Sequence, residues 1–217
     1  MSVHQIVQRR RDALLNHFCN NGNMPALLAV PSAQTLGQIT FIDGFDENHE
    51  QEQLGRRRTS SVLIHRGPGD RDSNTSLWVA AGYSGYARAY RAFLKEVYGV
   101  TATSNDMAPY NVDHLLNRAR APESSAFVRV EAISGPSNQI WGSIYESKAS
   151  NPEIRKNQQG YRYMSLTIAA KVAGFPPPRS ADDAEACAAI EDYFIQRGQP
   201  EATTRGAVGH MLGRDMG

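Results

Sequence analysis

Cysteine is scarce in this chain of 217 residues, which contains only Cys19 and Cys187, far apart in sequence. Two cysteines without a CxxC spacing form neither a zinc knuckle nor a redox motif, so we expect two buried thiols in a reducing compartment. Long hydrophobic runs are also lacking, since none approaches the roughly 18 residues that a membrane span requires. Residues 1–11 are polar and contain no apolar signal segment. These absences predict a cytoplasmic protein without a membrane span.

An excess of charge of one sign is absent as well, because 23 Lys and Arg residues stand against 22 Asp and Glu residues. A strongly basic chain would indicate nucleic-acid binding through bulk electrostatics. Here any anionic partner must instead be held by a local patch. What the sequence does contain is a hydrophobic fraction of 41% over a length that suits one large domain. We therefore expect a folded core rather than disorder.

Hydrophobic periodicity predicts helices and strands in irregular succession. Helices are predicted after Ser2, over 85–98, over 161–173 and after Ser180, and short strands at 27–30, 39–42, 61–65, 77–80 and 127–133. Strict βαβ alternation is lacking, so the predicted fold class is α+β, with a central mixed sheet flanked by helices. Three prolines at 176–178 form a stiff connector. They divide a predicted core domain, 1–178, from a C-terminal helix and a weakly ordered tail, 179–217.

The polar residues that can carry chemistry are concentrated between residues 110 and 121. This stretch contains an acid, an imidazole, an amide and two guanidinium groups: Asp113, His114, Asn117, Arg118 and Arg120. Such a mixture can orient a phosphate, because Arg forks bind its oxygens, His supplies a proton near neutral pH and Asp fixes the His tautomer. We predict that the first three residues are catalytic and that the two arginines bind phosphate. The alternative is an ordinary surface helix that begins at Asp113 and leaves both arginines in solvent.

Polar groups outside that stretch are further candidates. Asn138 follows the turn at Gly135-Pro136, and turns after a strand often carry functional groups, so we add Asn138 to the predicted phosphate-binding residues. Trp141 either walls the same site or packs in the core. The arginine runs at 9–11 and 56–58 can form a phosphate-binding face if they approach each other, or can be solvated charge runs.

Part of the polar stretch resembles the shared motif of the ParB/sulfiredoxin family. In that motif, His or Asn and then Arg precede a helix of small residues, which is followed by an apolar strand. Residues 113–121 (DHLLNRARA) and then 127–130 (FVRV) show the same succession of residue types. The resemblance implies that His114, Asn117 and Arg118 contact nucleotide phosphate or DNA. Plasmid-encoded fertility-inhibition proteins of the Osa type have this fold and a similar size. The implied activities are nucleotide hydrolysis and DNA cleavage, used to block conjugative DNA transfer.

A second resemblance is to the HNH, or ββα-metal, nucleases. Residues 112–114 look like the first strand end of that motif, Asn138 like its central Asn, and residues 145–148 like its metal-bearing helix. The last His of the motif is missing, since no histidine occurs between His114 and His210. The remaining oxygen ligands are a poor set for a metal. We therefore predict no metal ligands, and the sequence leaves the cofactor open.

Three functions stay open at this point, and so does the question whether the chain is an enzyme. The first is a phosphate-handling, DNA- or nucleotide-directed protein of a mobile genetic element that interferes with DNA transfer. The second is a non-enzymatic inhibitor that docks on a partner, such as a protein of a DNA-transfer or secretion apparatus. In that case residues 113–120 only stabilise a turn. The third is an HNH-like, metal-dependent nuclease toxin or effector.

Overall fold

The computed structural model describes residues 1–20, 26–37, 50–54, 61–67, 69–117, 121, 124–146 and 160–216. Strands lie at β1 (Leu27–Val30), β2 (Glu50–Gln53), β3 (Val62–Arg66), β4 (Thr75–Ala80), β5 (Tyr110–His114), β6 (Phe127–Ser134) and β7 (Arg162–Tyr163). The longer helices are α1 (Val3–Asn20), α4 (Tyr86–Tyr98), α7 (Leu166–Ala173), α8 (Ala184–Gln196) and α10 (Ala207–Met216). The shorter helices are α2 (Ala33–Leu36), α3 (Arg71–Asn74), α5 (Ser104–Met107), α6 (Gly135–Trp141) and α9 (Glu201–Thr204), and a π-helical turn, Gly142–Glu146, follows α6. In the part of the chain described, no helix has the length and apolar character needed to cross a bilayer.

The centre of the fold is one seven-stranded sheet with the order β2-β3-β4-β6-β1-β7. The remaining strand, β5, pairs with the second half of β6, on the same side as β1, because β4 occupies the opposite side of β6. This arrangement confirms the α+β class and the strand predicted at 127–133. The pairings between the described strands are all antiparallel, whereas a mixed sheet was predicted. Strands buried on both faces, as β6 is, are typical of parallel sheets, but here helices pack on both faces of an antiparallel one.

Two clusters of buried apolar side chains join the helices to the sheet. In one, Ile6 of α1 and Phe93 of α4 pack with Val130 and Ala132 of β6. The other contains side chains of α7, α8 and α10 together with Ile133, which points to the opposite face of β6 from Ala132. This second cluster also includes side chains from the C-terminal half of α1, so α1 contributes to both clusters.

Helix α4 ends where the sequence predicts, whereas two later helices begin a few residues after their predicted starts. Gly99 ends α4 in a left-handed conformation with φ of 70°, as its position after the last apolar residue predicts. The helix predicted from residue 161 begins only at Leu166, because the Ser165 hydroxyl caps it at the Ile168 N–H. The helix predicted after Ser180 likewise begins later, at the N-cap Asp183. The predicted strand at 39–42 lies outside the described residues.

The C-terminal segment is helical, where the sequence predicted a weakly ordered tail. Helix α10 buries Val208 and Leu212 in the core cluster. Both oxygens of the Glu191 carboxylate accept backbone N–H groups at the start of α10, from Gly206 and Val208, each at 3.0 Å. The glycines of this segment suggested disorder, but Gly209 serves close packing. A Cβ at Gly209 would lie 2.9 Å from the carbonyl oxygen of Ala181.

Alanine substitutions at two glycines of α10 should therefore change stability in opposite directions. Gly209→Ala is expected to destabilise the fold by about 1–3 kcal/mol, because its methyl group must push the Ala181 backbone away. Gly213→Ala is the matched control, since its Cβ would lie 3.7 Å from the Ala181 side chain, an ordinary contact. It should stabilise by up to about 1 kcal/mol through helix propensity. Urea unfolding measures both, and equal effects of the two would contradict the packing described.

Candidate functional site

A cleft of about 550 Å³ opens beside β5, with α4, α5 and α6 around it. Tyr86 and Arg91 of α4 and Met107 of α5 form one wall, and Asn138 of α6 contributes to the other. Residues 110–113 of β5 form the floor. Two of the predicted site residues, Asp113 and Asn138, therefore line the same cleft. The lining mixes aromatic, hydroxyl, carboxamide and charged groups, which suits a polar ligand.

Asp113 forms an ion pair that the sequence did not predict. Its Oδ2 lies 2.7 Å from Nζ of Lys171, which reaches it from α7. The Lys171 side chain is 2% exposed and that of Asp113 is 19% exposed. A buried amine needs such a partner, because an unpaired charge in the interior is strongly disfavoured. The sequence signal is one lysine within an otherwise apolar helix, LTIAAKVA.

His114 follows Asp113 but has a different environment. Its side chain is buried, and the ring packs on Tyr86 with 4.4 Å between ring centroids. Because successive residues of a strand point to opposite faces, the side chains of Asp113 and His114 leave β5 in opposite directions. The prediction that Asp113 fixes the tautomer of His114 is not matched here, since the Asp113 carboxylate is bonded to Lys171. The surface helix considered as the alternative does not begin at Asp113, because Asp113 and His114 form the end of strand β5.

The other predicted site residues fall into three groups. Asn117 follows β5 and is half-buried, while Arg118 and Arg120 lie outside the described residues. Trp141 is a core residue whose indole N–H donates to the carbonyl oxygen of Phe175 at 2.8 Å. Arg10, considered for a phosphate-binding face, has a guanidinium that is only 1% exposed. The described structure thus brings together Asp113 and Asn138 but gives Arg10 a structural role.

Arg10 belongs to a buried ionic cluster with Glu131 and Arg129 of β6. Arg10 Nε donates to Glu131 Oε2 at 3.0 Å, and Arg129 Nη2 donates to Glu131 Oε1 at 3.1 Å. Arg10 also donates to the carbonyl oxygen of Thr75 at 2.8 Å and to the hydroxyl of Tyr98 at 3.1 Å. One carboxylate thus serves two guanidinium groups away from water. The sequence signal is that Arg10 falls on the apolar stripe of α1, with Val3, Ile6, Val7 and Leu14.

Burial and the two positive charges of this cluster shift the pKa values of its members and of the neighbouring Tyr90. Burial alone would raise the pKa of Glu131, but the charges of Arg10 and Arg129 hold it below its ordinary value of 4.5. Burial lowers the pKa of Arg129, and Glu131 opposes that shift. Burial, and then the charge of Glu131, raise the pKa of Tyr90. Glu131 is therefore held as a carboxylate and Tyr90 as a neutral phenol.

Neither a metal-binding group nor a related protein assigns a function to the cleft. Within the described ranges, no three His, Cys, Asp or Glu side chains are grouped in a way that could hold a metal ion. Comparison of the chain with protein-family models, curated proteins and solved structures gives no match. The resemblance to the ParB/sulfiredoxin motif therefore stays a prediction from the sequence. The function must be argued from the cleft itself.

Proposed function

We propose that this chain is a binding protein, and that a negatively charged segment of a partner protein docks in the cleft beside β5. The observation that carries the proposal is the distribution of charge in the lining. Asp113 is neutralised by Lys171 at 2.7 Å, whereas Arg91 is an exposed guanidinium on the same cleft. The charge offered to a ligand is therefore positive. This corresponds to the docking inhibitor among the functions considered from the sequence.

The environment of the predicted catalytic residues supports binding over catalysis. A general base must reach the proton that it removes, directly or through one water. His114 is buried behind Tyr86, and the Asp113 carboxylate is engaged by a buried amine. Neither arrangement resembles an accessible acid–base pair. The Asp113–Lys171 ion pair holds one side chain of the floor in place before a ligand arrives, and such preorganisation favours binding.

A second candidate is a phosphate-bearing ligand, nucleotide or DNA, in the same cleft. The guanidinium of Arg91, the hydroxyls of Ser84 and Ser104 and the carboxamides of Asn111 and Asn138 are all donors suited to phosphate oxygens. Under this candidate the wider role is the one expected from the sequence, interference with conjugative DNA transfer by a mobile-element protein. Arg118 and Arg120 would then add to the site.

Arg91→Ala is expected to weaken selective binding without destabilising the fold. The probes are a phage-displayed random peptide library, single-stranded DNA and ATP, each tested on the full chain. We expect wild type to select acidic peptides and Arg91→Ala to bind them at least about tenfold more weakly, the usual loss for a hydrogen bond to a charged group. Thermal midpoints should hardly change, because exposed arginines contribute little to folding.

Lys95→Ala is the matched control, since Lys95 is an exposed cation of the same helix outside the cleft lining. It should bind like wild type. If DNA or ATP binds in an Arg91-dependent manner and peptides do not, the phosphate candidate replaces the docking proposal. If wild type binds none of the probes at low salt, both candidates are wrong.

A further inference from the structure

The floor of the cleft is the edge of a strand rather than its face. Four successive residues, 110–113, line the cleft, although side chains of a strand alternate between two faces. Tyr110 and Val112 pack towards the α1–α4 cluster. Asn111 and Asp113 point the other way, to the Gly135 carbonyl and to Lys171. Residues from both faces can share one cleft only if the cleft runs along the edge of β5.

The register of β5 on β6 shows which backbone groups face that edge. Gly135 N–H donates to Pro109 O at 3.1 Å, and Leu115 N–H donates to Arg129 O at 3.0 Å. In an antiparallel pair, residues bonded to the partner strand alternate with residues whose N–H and C=O point away from it. Counting from these two bonds, the odd-numbered residues of β5 bond to β6. The N–H and C=O groups of Tyr110 and Val112 therefore point towards the cleft.

We propose that an extended segment of the partner adds to β5 as a new strand, bonded to the backbones of Tyr110 and Val112. Among the described strands β5 pairs with β6 alone, and an edge that no described strand occupies is a template for strand addition. The added segment places an acidic side chain at Arg91 on the rim of the cleft. The inference rests on the docking function proposed above and names the form of its partner.

The chemistry of the edge selects a peptide over a phosphate. The edge presents carbonyl oxygens as well as N–H groups, and a phosphate, which offers acceptors, leaves the carbonyl oxygens unmatched. A peptide strand offers donors and acceptors in the same alternation. Its side chains would alternate between the wall with Tyr86 and Met107 and the wall with Asn138. One face of the bound segment therefore meets apolar and aromatic groups, and the other meets a carboxamide.

Removal of one N–H from the edge provides the test. Proline is tolerated on an edge strand where the N–H faces outward, so Val112→Pro should fold while losing a donor to the added strand. The probe is the acidic peptide selected on the wild-type full chain. Val112→Ala shortens the same side chain but keeps the N–H. We expect it to bind at least about fivefold more tightly than Val112→Pro, the effect of one lost hydrogen bond.

A peptide-side measurement covers the case in which Val112→Pro does not fold. Methylating the backbone nitrogens of the peptide one at a time should weaken binding at alternate positions only. Hydrogen exchange on the wild-type chain should show that the amides of Tyr110 and Val112 become protected when the peptide is added. Uniform methylation effects, or equal binding by the two Val112 variants, would overturn strand addition while Arg91-dependent docking stands.

Three other outcomes identify a different occupant or none. If these two amides are already protected in the free chain, the edge is covered by the chain itself and strand addition is wrong. If DNA or ATP protects them and the peptide does not, the ligand is a phosphate and strand addition is also wrong. If no peptide binds wild type, the docking function fails together with this inference.

Discussion

Glu131→Gln is expected to lower the free energy of unfolding by about 3–5 kcal/mol, the cost of removing one partner from a buried ion pair. The substitution keeps the shape of the side chain but leaves Arg10 and Arg129 as two buried cations without an anion. Since small and medium domains are stable by about 5–15 kcal/mol, the variant should be close to its unfolding threshold. Urea unfolding at low temperature measures the change.

Two comparisons make that result specific to the ionic cluster. Arg129→Met should cost less than Glu131→Gln, because Arg10 still neutralises the carboxylate and the excess cation is gone. Arg205→Ala removes exposed ion pairs to Asp192 and Glu201 and should leave the urea midpoint nearly unchanged. If Glu131→Gln unfolds at the same urea concentration as wild type, the cluster contributes little and the structural role of Arg10 is wrong.

The same carboxylate predicts a pH dependence with a defined sign. Its pKa is lower in the folded chain than its ordinary value of 4.5, so folding favours the ionised form. The stabilisation is fully present above pH 4.5 and is lost as the pH falls through the lower, folded-state value. Unfolding of wild type should therefore become easier as the pH falls below 4.5, and Glu131→Gln should lack this part of the acid sensitivity.

Asp113→Asn is expected to destabilise the fold by about 3–5 kcal/mol and by more than Lys171→Met does. The reason is an asymmetry in exposure. Without the carboxylate, the amine of Lys171 is a buried charge with 2% of its side chain exposed. Without the amine, Asp113 is 19% exposed on a polar cleft that water can enter. Methionine also fills much of the space of the lysine stem with an apolar chain.

The double variant Asp113→Asn/Lys171→Met tests whether the two residues act as a pair. It should be less destabilised than the sum of the single variants, because the second change removes the buried amine whose carboxylate partner the first change has taken away. Urea unfolding of the four proteins completes the cycle. Additive effects would mean that the contact at 2.7 Å contributes nothing to stability.

The elements that could be predicted from the sequence are those whose signals are local. Helix α4 has an apolar stripe at helical spacing and a glycine at its end, and both are properties of neighbouring residues. Strand β6 combines apolar residues with turn signals on either side. By contrast, the glycines of α10 predict disorder when only the neighbouring residues are considered, whereas in the folded chain they lie in an ordered helix. Gly209 is a packing residue because of Ala181, twenty-eight positions earlier in the chain.

The candidate site depends on pairs that are distant in sequence, so its geometry could be predicted only in part. Asp113 and Asn138 were identified by residue type and position after strands. Lys171 was missed, because its partner Asp113 is 58 residues away and a lysine in a helix is usually solvated. Arg91 was missed because it is an ordinary exposed residue of an amphipathic helix. The open edge of β5 is a consequence of strand order, which residue composition does not determine.

The distance along the chain between Arg10 and Glu131 affects how the protein emerges during synthesis. The two residues are 121 positions apart and are hydrogen-bonded to each other away from water. At translation rates of about 5–20 residues per second, α1 would exist for roughly 6–24 s before its partner leaves the peptidyl-transferase centre. In that interval α1 carries an apolar stripe with a cation at its middle. The buried ion pair of Arg10 can form only after β6 has been synthesised, so the core around both charges cannot be completed from the first half of the chain alone.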